Sequence, residues 1–241
     1  MELQGIGALV TGASSGLGEA LSRQLARSGA KVAIVARGEA RLLAAVERMR
    51  AEGGDVHAIP GDLGLKEDIH RIAGSAAALV GPVSLLVNNA SALGPVPLQL
   101  LLDTECEDLE RALAVNLVGP FRLSKLVIGP MALQGRGLVV NITSDASVNA
   151  YERWGAYGAS KAALDHLTRT WAAELNDTGV KLLAVDPGEM DTPMHAEAMP
   201  NADRSVLPSP NAVAERLIEL IRRAEQWPSG ARIELAKEAA R

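Results

Sequence analysis

The stretch GALVTGASSGLGEAL (7–21) joins an apolar strand pattern to a helical pattern through a turn that contains three glycines. Gly12, Gly16 and Gly18 allow the backbone to turn tightly and to approach a ligand closely. The helix that follows offers free N–H groups and the positive end of its dipole. The spacing is Gly-x-x-x-Gly-x-Gly. Its position between the first strand and the first helix indicates a site for a diphosphate.

Strand-length apolar runs and amphipathic helical stretches alternate along the whole chain. Most of the runs are continuously apolar, which is typical of strands covered on both faces. This alternation predicts an α/β fold over residues 1–241: a single-domain, doubly wound parallel sheet (Rossmann-like), about seven strands with helices on both faces. The predicted strands are 7–11, 31–36, 56–60, 84–90, 137–143, 180–186 and 231–235.

The longest irregular stretch, residues 188–211, lies between the sixth strand and the last helix and is rich in Pro and Met. It follows the carboxyl end of a strand, where open α/β sheets bind ligands. We expect residues 189–210 to form a substrate loop with little helical or strand structure of its own. We also expect this loop to be mobile without ligand and to order over the substrate.

Composition and charge narrow the classes of function. The 241 residues are 48% hydrophobic and 22% charged, with a net charge of −5 and scattered basic residues, which argues against nucleic-acid partners and a polybasic membrane patch. The single cysteine, Cys106, excludes an internal disulfide, and the four histidines show no metal-ligand spacing, so no metal site is predicted. No targeting segment and no run of eighteen apolar residues is visible, so we predict a cytoplasmic protein without a membrane partner.

Tyr157 and Lys161 stand four residues apart in AYGASKAALD (156–165), a stretch with helical spacing. A phenol and an ammonium one helical turn apart emerge on the same face. The pKa of a free phenol is about 10, and a nearby ammonium favours the ionised form, so the pair indicates a general acid that works near neutral pH. Taken alone, a half-buried tyrosine beside a solvated lysine explains the pattern as well. The other tyrosine, Tyr151, has Gly155 at the same spacing and is an internal control.

The end of the second strand carries a basic residue where a dinucleotide site reads the adenosine ribose. An acidic residue there favours NAD, whereas a nearby arginine favours NADP. The strand ends with Ala36 followed by Arg37, and Glu39 suits the first turn of the next helix. This predicts a preference for NADP(H) over NAD(H), which depends mainly on Arg37.

Several further motifs, in order and at matching spacings, make the chain resemble the short-chain dehydrogenase/reductase family over nearly its whole length. Ser91 stands where that family usually has glycine. The matching motifs are TGASSGLG (11–18), Asp62 in GDL, NNAS (88–91), Asn116 in LAVNLVGPF, Ser144 in VVNITSD, the Tyr157–Lys161 pair, and DPGEMDTPM (186–194) with Thr192.

The resemblance implies a role for each catalytic residue. Tyr157 exchanges a proton with the substrate oxygen as hydride passes to or from the nicotinamide, and Ser144 donates a hydrogen bond to that oxygen. Lys161 favours ionisation of the phenol and holds the nicotinamide ribose, and Asn116 holds a water that links Lys161 to solvent. Ser147 is the rival hydroxyl, but its spacing from Tyr157 does not fit. The implied cofactor-binding residues are Gly12, Ser14, Ser15, Gly16, Leu17, Gly18, Arg37, Asp62, Leu63, Asn89, Ala90, Tyr157, Lys161, Pro187, Gly188, Met190 and Thr192.

The function that this resemblance implies is an oxidoreductase that transfers a hydride between NADP(H) and a carbonyl or alcohol substrate. The alternative from another class is a non-catalytic binding protein that senses the dinucleotide on the same fold. An epimerase or dehydratase is a third reading, although the short C-terminal region leaves little room for a larger substrate domain.

The substrate pocket and the assembly are the least specified features. Apolar and Met-rich candidates suit a moderately hydrophobic ketone or aldehyde. The chain ends SGARIELAKEAAR, without the glycine-rich tail that many family members place in a tetramer interface, so both a homodimer and a homotetramer stay open. The candidate pocket residues are Leu93, Val96, Ala146, Trp154, Met190, Met194, Met199 and Leu207.

Overall fold

The computed structural model describes residues 1–238, and its seven strands form one parallel sheet in the order β3-β2-β1-β4-β5-β6-β7. The predicted doubly wound parallel sheet is confirmed. The predicted domain end at Arg241 lies outside the described residues. The strands are β1 (Gly7–Thr11), β2 (Lys31–Ala36), β3 (Asp55–Pro60), β4 (Val83–Asn88), β5 (Gly137–Ile142), β6 (Val180–Asp186) and β7 (Arg232–Glu234).

Helices connect the strands and cover both faces of the sheet. They are α1 (Gly16–Arg27), α2 (Glu39–Ala51), α3 (Lys66–Val80), α4 (Cys106–Leu113), α5 (Gly119–Leu133), α6 (Gly155–Glu174), α7 (Pro193–Ala198), α8 (Pro210–Arg222) and α9 (Leu235–Glu238). Helix α2 begins at Glu39, as its acidic first residue predicts.

Each face of the sheet has its own hydrophobic core. In β1, Ala8 and Val10 belong to one core and Leu9 to the other, because successive strand residues point to opposite faces. Helices α1, α2 and α8 close the first core, whereas α3 and α5 close the second. A fully buried leucine such as Leu9 contributes about 1.5–3 kcal/mol. The two cores hold the carboxyl ends of the strands at one edge of the sheet.

Four predicted strands differ from the observed ones by one or two residues at an end. β4 shows the physical reason, because it ends at Asn88 rather than at residue 90. The N–H groups of Asn89 and Ala90 donate to the Thr11 side chain, so the chain leaves the sheet there. Side-chain acceptors from a neighbouring strand are invisible in the apolar pattern.

A continuous helical run extends from Cys106 to Leu133 and joins α4 to α5 through a π-helical turn at Ala114–Val118. By length and mean hydropathy (1.3) the run is comparable to a membrane-spanning helix, and half of its most apolar window is buried inside the protein. A core helix of a globular protein fits the same description. The run packs against α3 and α6.

The segment predicted to lack regular structure contains helix α7. The Oγ1 atom of Thr192 accepts a hydrogen bond from the backbone N–H of His195 (3.1 Å), and Pro193 occupies the first helical turn. The expectation of little helical structure in residues 189–210 was therefore wrong, because it ignored this capping pair. Mobility of the segment stays a prediction.

The Thr11 hydroxyl ties the end of β1 to the turn after β4. Its Oγ1 accepts hydrogen bonds from the backbone N–H groups of Asn89 and Ala90, both at 3.0 Å. Thr11 is 1% exposed. This contact fixes the crossing point of the two halves of the sheet, where the glycine turn begins.

We predict that Thr11→Val lowers the free energy of unfolding by about 1–3 kcal/mol, because Ala90 N–H loses its acceptor while Asn89 N–H keeps only the Val87 carbonyl. In a chain of this length each kcal/mol corresponds to a fall of about 2–4 °C in Tm. Thr11→Ser, which retains the oxygen, is the matched control in thermal unfolding. A valine variant as stable as the serine variant would show that the hydroxyl does not hold the turn.

Candidate active site

A cleft of about 760 Å³ opens where the parallel strands end. It extends from the glycine turn after β1 to the turn after β6, across the point where the chain switches from one half of the sheet to the other. All predicted catalytic and cofactor-binding residues line it except Gly18 and Asn116. Of the predicted substrate-pocket residues, Val96 and Leu207 do not line this cleft, and the other six do.

The glycine turn has no room for side chains at two of its glycines. A Cβ atom on Gly18 would lie 2.5 Å from both the Asn89 side chain and the Gly12 carbonyl oxygen. Gly12 has φ +66° and lies against the backbone of Ala90. Helix α1 begins at Gly16, and no side chain caps its N-terminus. The first N–H groups of α1 are thus available at the cleft.

The Asn89 side chain shapes this turn. Its Nδ2 donates to the carbonyl oxygens of Thr11 (2.9 Å) and Gly12 (3.1 Å). Both amide hydrogens are therefore used within the protein. The resemblance predicted that Asn89 binds the cofactor. In the structure its side-chain amide instead holds the conformation of the glycine turn.

Two exposed arginines border the far end of the cleft. Arg37 follows β2 directly, and Arg41 lies one helical turn later in the first turn of α2. Asp62 and Leu63 form the opposite wall there. Sequence reasoning missed Arg41. The signal was a second arginine four residues after the first, on a helix that begins at Glu39.

Ser144 follows β5 and caps the short turn Asp145–Ser147. Its Oγ accepts from Ala146 N–H (3.2 Å) and donates to the Asp145 carboxylate (3.1 Å). Together with the Ser91 hydroxyl, the Ser144 hydroxyl lies close enough to Tyr157 to oppose the rise in the pKa of that phenol. The sequence places Ser144 correctly at a strand end beside Tyr157.

Tyr157 and Lys161 lie on the buried face of α6, 8% and 2% exposed. The Lys161 Nζ donates to the Ile142 carbonyl oxygen at the end of β5 (2.8 Å) and lies 5.5 Å from the centroid of the Tyr157 ring. Trp154 packs edge-on against the same ring, with centroids 5.6 Å apart. The pair predicted from one-turn spacing is thus a buried pair at the base of the cleft.

Burial favours the neutral form of both groups. It raises the pKa of Tyr157 to about 12, and the Asp186 and Asp145 carboxylates act in the same direction. Burial also lowers the pKa of Lys161 to about 8, while the Asp165 carboxylate opposes this shift. The sequence predicted that Lys161 would bring the pKa of Tyr157 down. In this arrangement desolvation prevails, and the phenol keeps its proton at neutral pH.

Asn116 lies in the π-helical turn and is fully buried. Its Oδ1 accepts from Ala92 N–H (2.7 Å), and its Nδ2 donates to the Ala92 carbonyl (2.8 Å) and to the Ser160 hydroxyl (2.8 Å). Ser160 in turn donates to the Tyr157 carbonyl (2.6 Å). The side chain of Asn116 therefore fixes the turn after β4 against α6.

Tyr151 and Ser147, the tyrosine and the serine whose spacing did not fit a catalytic role, both lie near the site. Tyr151 lines the cleft and donates to the Asp145 carboxylate (2.7 Å), which raises its pKa. Tyr151, the tyrosine without a lysine four residues later, therefore lies next to the site. Ser147 donates to the Asp165 carboxylate (2.6 Å), which suits a structural role.

The turn after β6 and helix α7 form the last wall. Pro187, Gly188, Met190 and Thr192 all line the cleft. Leu93, Ala146 and Tyr157 form a small apolar cluster, against which Leu98, Trp154, Met194 and Ala198 pack. His195 also borders the cleft, and both of its ring nitrogens are buried without a hydrogen-bond partner within residues 1–238.

Comparison with known proteins assigns the family. A family model for short chain dehydrogenases matches residues 7–203. The chain belongs to this family. An uncharacterized oxidoreductase of Thermotoga maritima is 39% identical over 188 residues, which cover 78% of this chain and 73% of the relative. The 7alpha-hydroxysteroid dehydrogenase of Escherichia coli is 29% identical over 239 residues, 95% of this chain and 92% of the relative.

Solved structures agree with this assignment. An actinorhodin polyketide ketoreductase variant, determined with NADPH, has a TM-score of 0.85 to this chain at 28% identity, and the match covers 94% of both chains. The predicted family, its fold and its activity as an oxidoreductase of carbonyl and alcohol groups are confirmed at that level.

For this short-chain dehydrogenase we predict that Lys161→Met moves the rising alkaline limb of alcohol oxidation to higher pH. Oxidation by the mechanism that the resemblance implies needs the Tyr157 phenolate. A phenolate and an ammonium stabilise each other, so Lys161 keeps its charge when the phenol ionises, and its loss raises the pKa of Tyr157. The measurement is the pH profile of oxidation by wild type and variant. Lys125→Met is the control, because the Lys125 ammonium lies 5.6 Å from the centroid of another ring, Phe121. The prediction would be contradicted if the rate of alcohol oxidation rose at the same pH in Lys161→Met and in wild type.

Proposed function

We propose that the protein is an NADP(H)-dependent carbonyl reductase or alcohol dehydrogenase in which Ser144, Tyr157 and Lys161 are the catalytic residues. The observation that carries the proposal is the buried phenol–lysine pair at the base of the cleft, next to the Ser144 hydroxyl. Burying an ammonium is costly unless its interactions compensate. A protein that only senses a dinucleotide has no evident need for that arrangement.

The residues of the cleft fit a dinucleotide. The glycine turn brings backbone to the cleft wall, and a Cβ atom at Gly18 would collide with the Asn89 side chain and the Gly12 carbonyl oxygen that hold the turn in shape. The uncapped N-terminus of α1 suits the diphosphate, and Arg37 and Arg41 suit a phosphate on the adenosine ribose. Lys161 and Thr192 border the part of the cleft that would take the nicotinamide end. When bound, NADP(H) supplies or accepts the hydride.

Tyr157 would hold and move the proton. Because burial raises its pKa to about 12, Tyr157 carries a proton at neutral pH that it can donate to the carbonyl oxygen during reduction. During oxidation the phenolate would accept the proton of the alcohol. Ser144 Oγ would donate a hydrogen bond to the same oxygen as negative charge develops on it.

Lys161 and Asn116 would support this proton transfer. The Lys161 ammonium favours the phenolate electrostatically. The hydrogen bond from Lys161 Nζ to the Ile142 carbonyl oxygen fixes the position of the ammonium. Every polar atom of the Asn116 side chain is engaged with the protein. A water that links Lys161 to solvent would therefore bind the main chain of Asn116 rather than its amide.

We also propose that the protein is a cytoplasmic homo-oligomer, in which copies pair through α5 and α6. Phe121 of α5 stacks on Trp171 of α6 with centroids 5.3 Å apart, and Phe121 is 37% exposed. Phe121 and Leu133 of α5 are exposed apolar side chains that suit a partner surface. A homodimer and a homotetramer are both compatible with this pairing.

The proposal is tested by following NADPH absorbance with a panel of ketones, aldehydes, diketones and acyl-thioester ketones. We expect turnover with at least one moderately hydrophobic carbonyl compound. Tyr157→Phe should reduce that turnover by at least about 10²–10⁴, the usual contribution of general acid catalysis, and should still bind NADPH. Tyr151→Phe, the matched control, should reduce turnover far less, because Tyr151 reaches the site only through its hydrogen bond to Asp145.

Two results would overturn this function. Wild type that binds NADPH and reduces no compound of the panel would favour the dinucleotide-sensing alternative. Near-normal turnover by Tyr157→Phe would show that another group moves the proton.

Arg37 and Arg41 generate a prediction about the cofactor. A guanidinium can hold the ribose phosphate of NADP(H) bidentately, and one such charge-assisted contact is worth about 1.5–3 kcal/mol, or roughly 10- to 150-fold in affinity. We expect wild type to bind NADPH more tightly than NADH. Ala36→Asp combined with Arg37→Ala should reverse the preference, and Arg41→Ala should weaken NADPH binding alone.

Fluorescence titrations of both cofactors measure these ratios. Arg48→Ala is a matched control, because Arg48 lies on the same helix and pairs with Glu19 (2.9 Å) outside the cleft. Equal affinities of wild type for NADH and NADPH would contradict the assignment. So would a ratio that the double variant leaves unchanged.

A further inference from the structure

Arg232 on β7 joins three segments of the candidate site. Its Nη2 donates to the Ser144 carbonyl oxygen (2.9 Å) and to the Asp186 carboxylate (3.0 Å). Its Nε donates to the Asp165 carboxylate (3.2 Å). These partners lie after β5, at the end of β6 and on α6. A single guanidinium therefore links parts of the chain that are far apart in sequence.

Each partner is next to a residue of the proposed chemistry. Ser144 itself carries the hydroxyl beside Tyr157. Asp165 lies one helical turn after Lys161. The second oxygen of Asp186 accepts from Gly188 N–H (3.0 Å), which shapes the turn after β6 that borders the cleft. The contacts of Arg232 thus reach the oxyanion donor, the helix that carries the buried lysine and the cofactor turn.

The cluster is buried and rich in carboxylates. The side chains of Arg232, Asp165 and Asp186 are 14%, 4% and 7% exposed, and Glu234 (3.2 Å from Nη1) is 37% exposed. Three carboxylates therefore share one guanidinium. Asp186 and Asp145 already act to raise the pKa of Tyr157, so loss of the guanidinium would leave the field of Asp186 uncompensated.

The charged and titratable groups around Tyr157 come from several segments. They are Lys161 and Asp165 on α6, Asp145 and Tyr151 after β5, Asp186 at the end of β6, Glu189 and His195 after it, and Arg232 and Glu234 on β7.

We propose that Arg232 is a positioning residue of the oxidoreductase, which orients the Ser144 segment and the turn after β6 and balances the charge of Asp165 and Asp186 beneath the phenol. This proposal rests on the proposed function. Two properties of the arginine carry it. Its planar fork holds several acceptors at once, and its permanent charge neutralises part of the buried carboxylate cluster.

Arg232→Met removes both properties. We expect kcat to fall by about 10- to 100-fold, because small displacements of catalytic groups cost that much. We also expect the rising alkaline limb of alcohol oxidation to move to higher pH. Arg232→Lys retains the positive charge and loses the planar guanidinium. We therefore expect kcat to fall, while the pH at which alcohol oxidation rises should stay near that of wild type.

A double variant separates the charge effect from a general loss of structure. Arg232→Met combined with Asp186→Asn removes one positive and one negative charge, and asparagine can still accept from Gly188 N–H. The oxidation limb should return toward wild type. Arg50→Met is the matched control, because Arg50 also donates to a backbone carbonyl, that of Val56 (2.7 Å), away from the cleft. It should leave kcat and the limb unchanged.

Amide hydrogen exchange tests the positioning without any need for turnover. In Arg232→Met, residues 144–148 and 186–188 should exchange faster than in wild type and in Arg50→Met. If wild type transfers no hydride, the proposed function fails, and this exchange result still decides whether Arg232 orders the two turns.

Several outcomes would overturn the proposal. Unchanged exchange in both turns of Arg232→Met would show that the guanidinium does not position them. Wild-type kcat in Arg232→Lys would show that the fork is not needed, even if Arg232→Met does not fold. If alcohol oxidation by the double variant still rose at a higher pH than in wild type, the proposed charge balance between Arg232 and Asp186 would be excluded.

Discussion

The rest of the site depends on the hydrogen bond between the buried Lys161 ammonium and the Ile142 carbonyl oxygen. Lys161 places a positive charge in the protein interior, 2% exposed, where an ammonium is stable only with polar partners around it. Helix α6 must therefore dock with this face toward the end of β5. That docking brings the Tyr157 ring to the base of the cleft and sets the position of Ser144 opposite it.

Polar contacts between side chains and backbone hold the surrounding turns in register. Thr11 binds the turn after β4, Asn116 binds the same turn to α6, and Arg232 binds the turns after β5 and β6. Each of these contacts is at least partly buried, so water only partly replaces a hydrogen bond that is lost. The sheet supplies a common edge for these turns, and the side-chain contacts supply their geometry.

The sequence predicted the sheet well because continuous apolar runs and glycine turns are local signals. The same holds for Ser144, Tyr157 and Lys161, whose spacing matches a known family. The direction of the Tyr157 pKa was not predictable, since it depends on how far tertiary packing excludes water from the phenol. The Arg232 cluster was missed because its partners are distant in sequence, and α7 was missed because it depends on a capping contact. Arg41 had a local signal, its position four residues after Arg37, that was overlooked. Val96 and Leu207 were placed in the pocket on apolar character alone.

The arrangement of the site requires Lys161 to be a buried ammonium whose pKa lies far below its ordinary value. The most direct measurement is a carbon-13 NMR titration of the lysine Cε signals, in which Lys161→Met identifies the signal of Lys161 among the six lysines of the chain. We expect a titration midpoint of about 8 for Lys161. A midpoint at the ordinary value of 10.5 would contradict it, because the ammonium would then be as well solvated as a surface lysine.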